Sequence, residues 1–288
     1  PSLRLEGPSP AGRQRRPSPP MASNGGGGPR ILVLGGSGFV GLELCRQATA
    51  LSWAVVAVSR RGPPRQAAGD PALAAVEWQQ ADATKAGEIE RVVQEKGPFT
   101  AVVHALGALF DGQSGLGSLN RVVSAAGSVP DSGASYDDIT RKTGLALLAA
   151  TEASCPSGTP LVFVSAAEAG WPEKACGPSI EACAPRWLKR YLAAKRAVEA
   201  KVLSSASVRG VVLRPSFIWN WGKLDILLPA LIFTIGYYMR LPFVDRPTRV
   251  EMVAAAAIEA ARQPGVTGVK DSAGMRALAA AKAKAKGS

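Results

Sequence analysis

The chain has 288 residues, 47% of them apolar and 19% charged, enough to bury a full core and too many for a mini-domain stapled by disulfides or metal. Its formal net charge of +12 gathers at the two ends, where residues 1–30 carry five arginines against Glu6 and residues 270–288 five basic residues against Asp271. A weakly basic body with two basic tails argues against a groove-reading nucleic-acid binder, and no nucleic-acid partner is expected.

Cys45, Cys155, Cys176 and Cys183 form no CxxC or other zinc spacing and read as reduced, buried residues. His104 is the sole histidine, so a zinc site and a Ser-His-Asp triad both lack their ligand sets, and no metal is expected. It lies in AVVHALG, the pattern of a core or strand-end residue.

Residues 1–29 are rich in Pro, Gly, Ser and Arg with a single acid, the composition of a disordered segment and of a transit-peptide remnant, which points to an organelle. Met21 within it could serve as an internal start. From residue 30 short apolar runs alternate with helical stretches, the order that gives an α/β fold with a doubly wound parallel sheet. Strands are predicted at 31–34, 54–58, 76–78, 101–105, 161–165 and 208–214. Helices are predicted at about 39–50, 84–96, 138–154, 185–204 and 250–262, with a Gly- and Ser-rich loop from the fourth strand to about 135. The expected division is a dinucleotide-binding unit at 30–215, a small substrate or lid region at 216–265 completing the same domain, and a basic flexible tail at 266–288. The segment 224–239, LDILLPALIFTIGYYM, is the most apolar in the chain but short of a bilayer crossing and broken by Pro229. It reads either as a buried or lid-forming helix or as a contact for a membrane surface or hydrophobic partner.

ILVLGGSGFVG puts Gly35, Gly36, Ser37, Gly38, Phe39, Val40 and Gly41 between the first strand and the first helix. This is a dinucleotide-binding turn: glycines allow a tight bend and a close approach of backbone to pyrophosphate, and the helix N-terminus offers free N–H groups and a positive dipole. Ser59, Arg60 and Arg61 end the second strand where an NAD enzyme usually places an acid for the ribose 2′-hydroxyl, so NADP(H) is favoured over NAD(H). Asp82 is expected to face adenine, and Ala105, Leu106 and Gly107 to offer backbone contacts to the adenosine and ribose. Tyr191 and Lys195 form YxxxK, one helical turn apart, a spacing that lets an ammonium lower the pKa of a phenol. Ser165, ending the fifth strand, could polarise a carbonyl held by Tyr191.

Together the glycine turn, the strand-end serine, YxxxK and VVLRPSF make residues 30–265 resemble a short-chain dehydrogenase/reductase of the extended or atypical type. RILVLGGSGFVG, FVSAAE, AAKRAVEAKVL and LPFVDRPTRVEMVAAAAIEAA look more narrowly like the organellar atypical group. That group includes coenzyme Q biosynthesis-associated reductase-like proteins of mitochondria, their plastid relatives and, more distantly, the nucleotide-binding accessory subunit of respiratory complex I. The resemblance implies a dinucleotide in the Gly35–Gly41 turn, Tyr191 as acid-base group, Lys195 on the nicotinamide ribose and Ser165 orienting substrate. It further implies a mitochondrion rather than a plastid, and a reductase or redox-linked accessory factor in quinone or isoprenoid lipid metabolism with a hydrophobic substrate or a membrane-associated complex as partner. Two departures stand out: Arg141, Lys142 and Thr143 replace the Asn expected near 141, and RPSFIWNWG replaces RPxxVYG. A non-catalytic nucleotide-binding scaffold stands as the alternative function. A sugar-nucleotide epimerase or dehydratase is disfavoured by the scarcity of polar residues in the C-terminal part.

Overall fold

A computed structural model of the protein describes residues 28–114, 133–222, 224–239 and 244–287. Nearly all of the expected disordered segment at 1–29, and most of the Gly- and Ser-rich loop, lie outside the described residues.

In chain order the elements are β1 (Arg30–Leu34), α1 (Phe39–Thr49), β2 (Ala54–Ser59), α2 (Pro71–Ala74), β3 (Glu77–Gln80), α3 (Glu88–Lys96) and β4 (Ala101–His104). A π-type helical stretch (Asp137–Lys142) runs into α4 (Thr143–Ser154), followed by β5 (Pro160–Val164), α5 (Gly177–Cys183), α6 (Arg186–Ser204) and β6 (Arg209–Leu213). Then come β7 (Ile218–Trp219), α7 (Leu224–Tyr238), β8 (Thr248–Arg249), α8 (Val250–Arg262), β9 (Gly268–Lys270) and α9 (Ser272–Gly287).

Seven strands form one sheet in the order β3-β2-β1-β4-β5-β6-β9, every pairing parallel. Val33 pairs with Ala57 on one side and Val103 on the other. The winding reverses between β1 and β4, and such a switch point leaves a crevice beyond the carboxyl ends of the two strands. The inner strands are near-continuous Val, Leu and Ile because helices cover both faces. α1, α8 and α9 cover one face through Leu44, Val253, Ile258 and Met275, while α3, α4 and α6 cover the other through Ile89, Val93, Leu147 and Val198. In α3 the buried positions Ile89, Val92 and Val93 follow the helical repeat while glutamates face solvent.

Two expectations change. The stretch 266–288 is not a flexible tail. β9 extends the sheet, with Val211, Val212 and Leu213 opposite Gly268, Val269 and Lys270, and α9 buries Met275 and Leu278 beside α8. A three-residue strand shows no periodicity, and two apolar anchors suffice to dock an alanine-rich helix. The lid region is also smaller than 216–265: α8, with nine buried residues, is a covering helix of the main sheet, which leaves 216–249 as the appended unit. β7 and β8 pair there, and the Lys174–Asp245 ion pair at 2.7 Å ties the unit to the segment after β5. Strand and helix ends shift by a few residues. The fifth strand stops at Val164, so Ser165 is the first residue beyond it.

Candidate dinucleotide and proton-transfer site

The glycine turn lies between β1 and α1 at the switch point. Gly35 has φ +89°, and a Cβ there would sit 3.0 Å from the Ala105 carbonyl carbon and oxygen, so the turn and the chain leaving β4 lie against each other. A side chain at Gly41 would collide with the Gly35 carbonyl oxygen. Gly38 caps α1 with no side-chain hydrogen bond, leaving the first-turn N–H groups and the dipole to an outside acceptor. This cradle, which any Cβ would fill, fits the pyrophosphate of a dinucleotide.

At the adenosine end, Ser59 is buried and its hydroxyl donates to the Gly62 carbonyl at 2.5 Å. It thus shapes the turn instead of meeting a phosphate, which corrects its expected role. Arg60 is exposed, and its charge helps to hold the Asp82 carboxyl below the usual range. Asp82 accepts from the N–H and hydroxyl of Thr84 at 3.1 and 2.7 Å, which also lowers it against the opposing effect of burial. Ala105 donates its N–H to Leu34 at 2.9 Å, and a Cβ at Gly107 would lie 3.7 Å from Lys195 Nζ. The loop after β4 therefore lines the path from the glycine turn to Lys195.

Lys195 gathers the other candidates. It is buried, donates to the Val164 carbonyl at 2.8 Å, and lies 5.0 Å from the Phe163 ring centroid and 5.7 Å from that of Tyr191. Burial pulls its ammonium down to about 8, against the pull of Glu199 one turn on. Ser165, next to Val164, is buried and its hydroxyl has no hydrogen-bond partner. Tyr191 is half-buried, with Tyr136 edge-on at 5.5 Å. The expectation of a lowered phenol is overturned: burial, the Glu168 carboxylate and Tyr136 all push Tyr191 up, and Lys195 at this distance does not offset them.

Several participants escaped the sequence reading. Of the three residues at the expected Asn position, Arg141 and Lys142 pair with Asp137 and Asp138 outside. Thr143 alone turns inward; it donates to the Ile139 carbonyl at 2.7 Å, and its oxygen lies 2.9 Å from His104 Nε2. His104 is fully buried beneath the site against Phe163, and burial with the nearby Lys195 charge drives it down to about 3, so the ring is neutral. Glu199 is held by the Arg214 guanidinium at 2.6 and 3.1 Å, and Arg214 also grips Glu173. The signal available for Glu199 was its spacing four residues after Lys195; Thr143 was marked only as one of three residues at the expected Asn position, with nothing local to single it out from Arg141 and Lys142. The cysteines are all free, as expected, but only Cys45 is buried; Cys176 and Cys183 are exposed, because the segment after β5 that carries them lies at the surface.

Comparison with known proteins agrees with this geometry. Residues 31–118 match the NAD dependent epimerase/dehydratase family. A short-chain type dehydrogenase/reductase structure from Mycobacterium ulcerans superposes with a TM-score of 0.58 at 21% identity, covering 86% of this chain and 90% of that one, a likeness of fold. The family likeness covers the first part of the chain, and the likeness to solved structures over most of it is one of Rossmann-type fold. Among individual relatives, an uncharacterized chloroplastic protein of Arabidopsis thaliana is 29% identical over 68% of this chain and 53% of its own length. MIOREX complex component 2 of Saccharomyces cerevisiae is 33% identical over 30% of this chain and 31% of its own. The chain thus spans about half or less of the curated relatives it matches.

Proposed function

We propose that the protein is an NADP(H)-dependent reductase of a hydrophobic carbonyl compound of the quinone or isoprenoid type, working in an organelle. The observation that carries this reading is the unpartnered, buried hydroxyl of Ser165, the residue after Val164, whose carbonyl accepts from Lys195, with the Tyr191 ring centroid 5.7 Å from that ammonium. Such a hydroxyl lacks only an acceptor, and a substrate carbonyl oxygen is one. The bound nicotinamide would supply the hydride. Ser165 would donate to the carbonyl oxygen, Tyr191 would pass it the proton, and Lys195 would hold the ribose hydroxyls. Arg60, with no acid ending β2, supports NADP(H). The acid-poor composition of residues 1–29 and the chloroplastic relative support an organelle, and the resemblance to the coenzyme Q-associated group favours the mitochondrion.

A nucleotide-binding scaffold within a membrane-associated complex is the second reading, favoured by the complex-component name of the yeast relative and by the upward push on Tyr191. Tyr191→Phe separates the two. In an enzyme kcat falls on the order of 10²- to 10⁴-fold with NADPH affinity kept, measured by nicotinamide absorbance with short-chain quinones. Unchanged turnover refutes the role of Tyr191, and full complementation by the variant in cells supports the scaffold.

A further inference from the structure

The segment predicted as either a buried helix or a surface contact, α7, turns only a narrow side to the protein: Ala230 and Gly236 are buried, and Phe233 stacks on Phe217 at 5.1 Å. Outward it presents Leu231, Ile232, Ile235, Tyr238 and the adjoining Met239, with Trp221 just before the helix, each between 50 and 69% exposed. These positions recur at helical spacing, so they form one stripe. Such a stripe in water needs a cover.

We infer that α7 is a membrane-docking element that lies in the headgroup region of an anionic lipid surface. Two observations choose lipid over a protein. The exposed aromatic residues Trp221, Tyr237 and Tyr238 flank the aliphatic Leu231, Ile232 and Ile235, and amphipathic rings of this kind suit the boundary between headgroups and acyl chains. The charge around it is basic. Arg246 is exposed in the β8 region of the same appended unit, where Arg249 pairs with Glu251 at 3.2 Å, and in the sequence Lys223 and Arg240 bracket the helix, which holds one acid, Asp225. No helix among the described residues is long and apolar enough to cross a membrane, so the contact is peripheral. The docking needs neither nucleotide nor turnover and stands apart from the reductase reading.

The test is flotation of the full chain with vesicles of phosphatidylcholine alone or mixed with phosphatidylglycerol, with brominated acyl chains as quenchers of tryptophan fluorescence. The mixed vesicles should carry the protein and quench it, and Trp221→Phe should remove most of the quenching. Ile232→Glu with Ile235→Glu should lower the partition coefficient at least tenfold while NADPH binding and melting temperature stay as in the parent. Leu231→Gln serves as a milder second variant. Equal flotation of parent and variants would overturn the proposal and assign the binding to the basic tails. Absence of flotation would overturn it as well; if the parent instead forms a dimer that the variants abolish, a second copy covers the stripe.

Discussion

Replacing Lys195 by methionine should stabilise the protein at neutral pH while weakening its grip on nucleotide. The ammonium is drawn from 10.5 to about 8 by burial, and at about 1.4 kcal/mol per unit the buried charge costs roughly 3 kcal/mol below pH 8. Methionine keeps the unbranched volume and loses the ammonium's bond to the Val164 carbonyl, worth about 2 kcal/mol net for a charged donor. The balance is about 1 kcal/mol in favour of the variant, or roughly 2 °C in melting temperature for a chain of this size. The pH dependence identifies the cause. Between about 8 and 10.5 the unfolded lysine holds a proton that the folded one has released, so the parent gains stability as pH rises and the difference closes near 10.5. Urea unfolding of both proteins across this range measures it. A destabilised variant at neutral pH, or a difference that does not change with pH, would refute the reasoning.

Other outcomes follow from the same geometry. Arg60→Ala should weaken NADPH about tenfold, as expected for one lost charge-assisted contact, and leave NADH unchanged in a fluorescence titration; equal weakening of both would remove Arg60 from 2′-phosphate recognition. His104 sits neutral with its pKa depressed to about 3, so the unfolded chain binds the extra proton first. Stability present above about 6.5 is therefore lost as pH falls toward 3. His104→Gln should flatten that part of the urea-midpoint profile, and a variant that keeps the parent's acid slope would place the titrating group elsewhere.

The glycine turn and the alternation of strands and helices were legible because both are local: a bend against a strand end demands glycine wherever it occurs, and strands covered on both faces read as apolar runs. The spacing of Tyr191 and Lys195 was legible for the same reason, since one helical turn fixes it. Their acid strengths were not, because these depend on what α6 packs against: Glu168 from the segment after β5, and Tyr136 from beside the π-type stretch. Ser59 misled in a similar way, its hydroxyl turning back to Gly62. Thr143 gained meaning only when the fold set it opposite His104, 39 residues away. The 224–239 segment was legible as apolar, but the choice between a buried and an exposed helix was not, because it depends on how much of the segment the rest of the fold covers.

β9 does more than lengthen the sheet. Without it the parallel edge of β6 would be bare, and Val211, Val212 and Leu213, now wholly buried, would offer open backbone donors and acceptors to the same strand of another molecule. Arg209 fastens this border from behind, donating to the carbonyls of Ala260, Ala261 and Val266. The short strand acts as a seal against aggregation, which gives three residues at the rim of the domain a bearing on solubility out of proportion to the area they bury.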